Sequence, residues 1–292
     1  MQLDYKVLFV DDEGFDDFMG ELRDAIKTYL EEKGFMLKAI EVKTEEKLNS
    51  QISTDKNYDM IFVDNKFDDK EMGLEFIKKI RDAKIFSDIV LCTVQSDIEL
   101  IKRIDSNTAA YGYYYIRKGQ NLFQYVNNVI DYRFNKELDT NVMRGIAMSE
   151  VAKFDVEILS ILLKNDNYKT DIITKIKKTA ENRNKETQSL PNDEIWEIVS
   201  NPDKSTLYFD SSLRKDFLNT HVLKKINTLK DCYNDIKEKY YNEILKKRNI
   251  LAHKINPNLT EAEIRQFRKD LIKFKGIFSK INEYFTKEPP NA

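Results

Sequence analysis

The sequence predicts two domains of different class, a parallel α/β domain over residues 1–136 and an all-α bundle over residues 137–292. Three observations carry this. Up to residue 136, short apolar runs without helical period alternate with stretches whose apolar residues recur every three or four positions. Beyond that point only the helical spacing remains. And 292 residues exceed what one modest core usually organises.

Lys6 to Val10 (KVLFV) reads as a strand buried on both faces and ends on Asp11, Asp12 and Glu13. Phe15, Phe18, Met19, Leu22, Ile26, Tyr29 and Leu30 mark one face of a helix closed near Gly34. Leu37 to Val42 alternates as a strand, Leu48 and Ile52 mark a short helix, and Tyr58 to Asn65 (YDMIFVDN) holds a buried strand ending on Asp64. A polar loop follows. Then come a helix bearing Leu74, Ile77 and Ile80, a strand from Ile89 to Thr93, a helix from Ile98 to Ile104, and an aromatic strand from Tyr113 to Ile116. A last helix begins near Asn121, with Leu122, Val126, Val129 and Ile130 on one face. Five strands alternating with helices make a parallel sheet covered on both sides.

Composition narrows the setting. Residues 1–136 carry 20 basic and 26 acidic side chains, and residues 137–292 carry 28 and 24, so the second half is the more basic. Cys92 and Cys232 have no metal-ligand spacing, which implies reduced thiols. The start, MQLDYKVLFVDDE, meets acids too soon for a signal peptide, and no apolar run is long enough to span a bilayer. A cytoplasmic protein without membrane attachment is expected.

In an open α/β sheet the ligand crevice lies beyond the carboxyl ends of the strands. Those ends carry Asp11, Asp12, Asp64, Thr93 and Lys118. Crowded carboxylates repel, and a divalent cation removes the repulsion; oxygen-only ligands with room for water and phosphate suit Mg2+. Lys118 and the Thr93 hydroxyl complete a site able to hold a phosphoryl group on a carboxylate.

These residues resemble the receiver domain of bacterial response regulators: FVDDE for the acidic pair, IFVDN for the phosphoacceptor, EMGLEFIKKIR after it, LCTVQSD for the threonine strand and YYYIRKG for the lysine strand. The resemblance implies a flavodoxin-like (βα)5 fold and a histidine kinase or other phosphodonor as partner. It makes Asp64 the phosphorylated residue and Asp11, Asp12 and Asp64 the Mg2+ ligands. Thr93 and Lys118 then contact the phosphoryl group, and Tyr115 is the switch aromatic. Three positions depart from the pattern: Val94 stands where a smaller residue is usual, Gly119 where proline is usual, and the loop from Asp64 to Gly73 is longer and carries DDKE.

Between Lys136 and Val151 there is no proline and only Gly145, so the last helix of the first domain is expected to run almost directly into the second. There, helices are expected around Val156 to Leu163, Ile172 to Ile176 and, as one long element, Leu213 to Leu251. Thr260 with Glu263 forms a capping-box start for a final helix to Phe285.

One stretch stands apart, KKRNILAHKINPN, with Arg248, Asn249 and His253 before the break at Asn256 and Pro257. On one helix Asn249 and His253 share a face, whereas Arg248 and His253 lie about 140° apart. A two-fold dimer would gather them. The pattern resembles the R-x4-H signature of HEPN domains, many of which are dimeric, metal-independent endoribonucleases. The resemblance implies RNA as ligand and a homodimer through the helical domain, with Arg248, Asn249 and His253 catalytic. A histidine titrating near neutrality serves as general base or acid, and an arginine stabilises a phosphorane. Glu150 and Asp155 are candidates to line the same cleft. The expected function is a phosphorylation-switched signalling protein whose helical domain cleaves or binds RNA; the alternative is a non-enzymatic adaptor that recruits a protein partner.

Overall fold

The structure is a computed structural model that describes residues 3–14, 18–93, 113–117, 122–137, 139–164, 166–182, 186–201, 204–254 and 259–287. The chain divides into two compact units, residues 2–139 and 140–292.

The first unit holds β1 (Asp4–Val10), α1 (Phe18–Lys33), β2 (Met36–Val42), α2 (Glu45–Thr54), β3 (Met60–Asp64), α3 (Gly73–Asp82), β4 (Asp88–Thr93), β5 (Tyr113–Arg117) and α4 (Leu122–Glu137). All five strands are parallel, in the order 2-1-3-4-5. This is the doubly wound, flavodoxin-like order, which reverses direction next to β1 and so opens a crevice at the carboxyl ends of β1 and β3. The helix expected at Ile98 to Ile104 lies outside the described residues.

Why the strands read as unbroken apolar runs is plain from the layers. Phe9, Phe62, Val90 and Cys92 face a core closed by Leu22 and Ile26 of α1 and by Val126 and Ile130 of α4. Val10, Val63 and Leu91 face the opposite core, closed by Leu48 and Ile52 of α2 and by Phe76, Ile77 and Ile80 of α3. Each such side chain, fully buried, contributes about 1.5–3 kcal/mol. Helix ends follow local chemistry. Gly34 adopts φ +81°, and Phe35 N–H donates to Leu30 O at 2.9 Å, a left-handed stop for α1. Thr44 Oγ1 accepts from Lys47 N–H at 3.2 Å and starts α2.

Asp139 is non-helical and separates α4 from α5 (Thr140–Leu163), the first helix of the second unit. That unit continues with α6 (Lys169–Asn182), α7 (Asn192–Ser200), α8 (Ser211–Phe217), α9 (Lys230–Asp235), α10 (Lys246–His253) and α11 (Glu261–Lys287), with no strand among its described residues. Phe154 of α5, Tyr240, and Phe274 and Phe278 of α11 pack ring against ring in its core. Among the described residues no helix is long and apolar enough to cross a membrane.

The long helix expected from Leu213 to Leu251 is not one element. After α8 the chain widens into a π-helical turn at Leu218–Val222 and opens at Ile226 (φ −110°, ψ 103°). It winds again through α9 and a π-helical stretch, Ile236–Leu245, into α10. Both pieces bury an apolar side, so the apolar period continues across the opening and hides it; Asn227 and Thr228, whose short polar side chains favour non-helical backbone, follow the break. The capping box forms as expected: Thr260 N–H donates to Glu263 Oε2 at 2.8 Å, and Glu263 N–H donates to Thr260 Oγ1 at 3.2 Å.

Candidate functional site

Register decides what meets at the sheet rim. Val10 of β1 pairs with Val63 of β3, so Asp11 and Asp64 follow at the same level on strands that neighbour at about 4.8 Å. Asp64 in turn is level with Cys92, and Thr93 closes β4 one residue further on. Asp11, Asp64 and Thr93 are only 3%, 6% and 2% exposed. Local bonds fix the carboxylates. Asp11 Oδ1 accepts from Glu13 N–H at 2.9 Å, and Asp64 Oδ1 accepts from Lys66 N–H at 3.4 Å.

The polar loop expected after Asp64 contains a hairpin. Lys66–Phe67 pairs antiparallel with Lys70–Glu71, and the turn residues Asp68 and Asp69 both lie in the left-handed region, at φ 49° and 59°. Two such residues in sequence make the primed turn whose twist suits a tight hairpin. Phe67 is buried edge-on against Phe76, with ring centroids 4.9 Å apart. At the tip, Asp68 N–H donates to Asp12 Oδ2 at 2.9 Å. Behind it, Met72 N–H and Gly73 N–H donate to Asn65 O at 3.0 and 3.2 Å. A Cβ at Gly73 would stand 2.7 Å from Asn65 Cα, so only glycine starts α3 this close to the hairpin. The sequence signal for this element was the Asp-Asp pair between Lys-Phe and Lys-Glu, since aspartate tolerates left-handed backbone.

Of the expected metal trio, then, Asp11 and Asp64 lie level at the rim, while the half-buried Asp12 is engaged by the hairpin. Among the described residues no three acidic, histidine or cysteine side chains are gathered to hold a metal ion. Two hard carboxylates nonetheless fit Mg2+, which keeps several waters and takes one or two carboxylates beside a phosphate. Lys118, Val94 and Gly119 lie outside the described residues; Tyr115 is level with Leu91 in β5, and its side chain also lies outside them.

In the second unit, Arg248 and His253 take opposite environments. Arg248 is half-buried and its Nη2 donates to Ser211 Oγ at 3.4 Å; Ser211 Oγ in turn donates to Asp155 Oδ2. Arg214, fully buried, donates from Nη1 to Asp155 O at 3.2 Å and from Nη2 to Ser205 Oγ at 2.6 Å. Burial pushes the Asp155 carboxyl above the usual carboxylate range, against the opposing pull of the Ser211 hydrogen bond and of the Arg214 and Arg248 charges. Burial likewise lowers the Arg214 guanidinium, and it lifts the Tyr240 phenol well above its ordinary value, with the Asp155 charge adding to the rise. Asp155 Oδ1, Arg214 Nε, Arg248 Nε and Tyr240 OH have no hydrogen-bond partner among the described residues, so within these the network is only partly satisfied.

Asn249 and His253 are exposed, His253 as the last residue of α10. The end of that helix is held by Arg144 of α5, whose Nε donates to Leu251 O at 2.7 Å and Nη2 to Lys254 O at 3.1 Å. Carbonyls left over at a helix end are thus satisfied by a cation. Sequence reasoning missed Arg144, Ser211 and Arg214. Glu150, the other residue expected in the cleft, is buried and pairs with Lys153 at 2.6 Å.

No protein-family model and no curated protein matches the sequence. Solved structures do. A CheY-like receiver domain protein from Methanospirillum hungatei JF-1 aligns at 20% identity, covering 46% of this chain and 95% of its own, with a TM-score of 0.34. The receiver domain of Francisella response regulator 1452 aligns at 22% identity over 44% of this chain and 98% of its own, with a TM-score of 0.31. A response regulator from Thermotoga maritima gives 24%, 44%, 98% and 0.32 in the same order. The fold assignment rests on the strand order and register, independently of these alignments.

Proposed function

We propose that the first unit accepts a phosphoryl group on Asp64 from a histidine kinase or other phosphodonor, and that the helical unit is the output it controls. The observation that carries the reading is the level pair of buried carboxylates, Asp11 and Asp64, at the crevice of a 2-1-3-4-5 sheet, with the buried Thr93 closing the next strand. An Asp64 oxygen forms a bond to the donor's phosphorus as the donor's own bond to it breaks, and the electron pair of that bond leaves with the donor's group, an imidazole or, from acetyl phosphate, acetate. Mg2+, when bound, supplies the positive charge that lets a phosphate approach a carboxylate. Asp11 and Asp64 would hold the metal, and the Thr93 hydroxyl would donate to the phosphoryl oxygens. Incubation with acetyl phosphate and Mg2+ should add one phosphoryl mass to the intact chain and none to Asp64→Asn. Equal labelling of that variant sinks the assignment.

For the helical unit we propose RNA as the ligand of the α10 end, with His253 as the proton-transfer group and Arg248 and Asn249 beside it, in a homodimer. The exposure of His253 supports this reading. The second reading, an adaptor that recruits a protein partner without cutting anything, is favoured by the engagement of Arg248 with Ser211. Cleavage of RNA in EDTA that His253→Ala abolishes decides for the first; neither cleavage nor binding of RNA, with or without acetyl phosphate, decides for the second.

A further inference from the structure

The hairpin after Asp64 is tied to its surroundings at its base and at its tip. Phe67 is sunk against Phe76 and the Lys66 N–H donates to Asp64 Oδ1 at 3.4 Å, the Asp68 N–H reaches Asp12 Oδ2 at 2.9 Å, and within the hairpin Lys66 Nζ pairs with Asp69 Oδ1 at 2.7 Å. The hairpin therefore brings one backbone donor to an acidic rim. Only the bond to Asp12 ties its tip directly to a residue that a cation at that rim would also attract.

We propose that the Lys66–Glu71 hairpin is a latch released by divalent cation: Asp12 either holds the Asp68 N–H or turns to a cation shared with Asp11 and Asp64, and cation binding frees the tip. The inference rests on the reading of this rim as a cation-assisted phosphoryl site and adds a consequence for the surface beside it. With Asp12 withdrawn, no hydrogen bond among the described residues ties the turn residues Asp68 and Asp69 to the rim, and Phe67 with the Lys66 N–H bond to Asp64 remains as the hinge. The left-handed turn at Asp68 and Asp69 and its charged flanks Lys66, Lys70 and Glu71 then form an element whose mobility reports the state of the site. A phosphodonor protein approaching Asp64 would meet it in one of two states, latched without cation and loose with it.

Hydrogen exchange of the full chain, followed by mass spectrometry over the peptide 65–72, tests this with MgCl2 as the only added ligand and calorimetry to record Mg2+ binding. A backbone hydrogen bond to a carboxylate slows exchange roughly 10- to 100-fold, so Mg2+ should speed exchange of this peptide by about that factor. Asp12→Ala should exchange fast with and without Mg2+. Asp12→Asn keeps an acceptor for the Asp68 N–H and loses the charge the cation needs, so its peptide should stay protected in Mg2+. Calorimetric Mg2+ binding with unchanged protection would mean that Asp12 serves both partners through its two oxygens, and would overturn the latch while leaving the phosphoryl site intact. A response of Asp12→Asn equal to that of the natural chain would also overturn it. Absence of Mg2+ binding would overturn the cation reading of the rim and the latch with it.

Discussion

The rim of the parallel sheet and the end of α10 were both marked by short polar motifs, and the fold treats them differently. At the rim, pairing of Val10 with Val63 brings Asp11 and Asp64 level without reference to any other residue. A strand has a period of two and a fixed spacing to its neighbour, so a motif at a strand end is already a geometry. At α10 the motif sets only an angle about a helix axis. What Arg248 does is decided by Ser211, 37 positions away, and by Asp155 on another helix. A helical motif is a geometry only once its packing partners are known.

The largest test of this contrast is on the helical side. Asp155 accepts the Ser211 hydroxyl on its carboxylate and the Arg214 guanidinium on its backbone carbonyl, with little exposure. Removing the side chain leaves the Ser211 hydroxyl without its acceptor and takes a nearby carboxylate from Arg214 and Arg248, and a buried polar group deprived of its partner costs about 1–3 kcal/mol. Asp155→Ala should therefore lower the stability of the second unit by that amount, whereas the exposed His253→Ala should change it by less than about 0.5 kcal/mol. Trp196, the only tryptophan, lies in α7, so its fluorescence in urea follows this unit alone. Arg248→Ala should fall between the two, and a value as small as that of His253→Ala would remove Arg248 from the core network and strengthen its place in an RNA site.

Most of the fold was legible because the signals were local. The acids closing β1 and β3, Gly34 ending α1 and Thr260 with Glu263 opening α11 each need only a few neighbouring residues to act. The hairpin was missed because its signal lies in backbone sign rather than in hydropathy: Asp68 and Asp69 look like loop residues and serve as a left-handed turn. The opening at Ile226 was missed because Leu213, Phe217 and Val222 before it and Leu229, Cys232 and Ile236 after it are all buried, and apolar spacing cannot tell one helix from two that share a core. The inward Arg248 was missed because nothing within α10 foretells it.

A smaller effect separates the two units by the sign of their response to acid. In the first, the hydrogen bond from Lys6 holds the Asp55 carboxyl below its ordinary value. Its contribution to stability is present above the unfolded value of about 3.9 and is lost as pH falls through the folded value. In the second, burial holds the Asp155 carboxyl above its ordinary value, so the folded state keeps the proton longer than the unfolded chain does. Its contribution is fully present below about pH 3.9 and is lost as pH rises through the folded value. Calorimetric melts across this range should show the stability difference between the natural chain and Asp55→Asn shrinking on acidification, and the difference from Asp155→Asn shifting in favour of the natural chain. Parallel trends in the two variants would contradict the burial argument for Asp155.

The smallest effect lies in the caps. The Thr44 hydroxyl accepts from the Lys47 N–H alone, whereas the Thr260 hydroxyl accepts from the Glu263 N–H and donates to the Glu263 carboxylate, which also accepts the Thr260 N–H. Replacing a capping threonine by alanine costs about 1 kcal/mol. Thr260→Ala removes both bonds of the hydroxyl and keeps the backbone donor at 260, so it should cost more than Thr44→Ala, by a fraction of that amount because the lost bond to the carboxylate is exposed. Glu263→Gln keeps the acceptor and removes the charge, so it isolates what the carboxylate adds at the positive end of the helix. If Thr260→Ala instead costs no more than Thr44→Ala, the hydroxyl's bond to the carboxylate adds nothing, and α11 depends on its buried length rather than on its first turn.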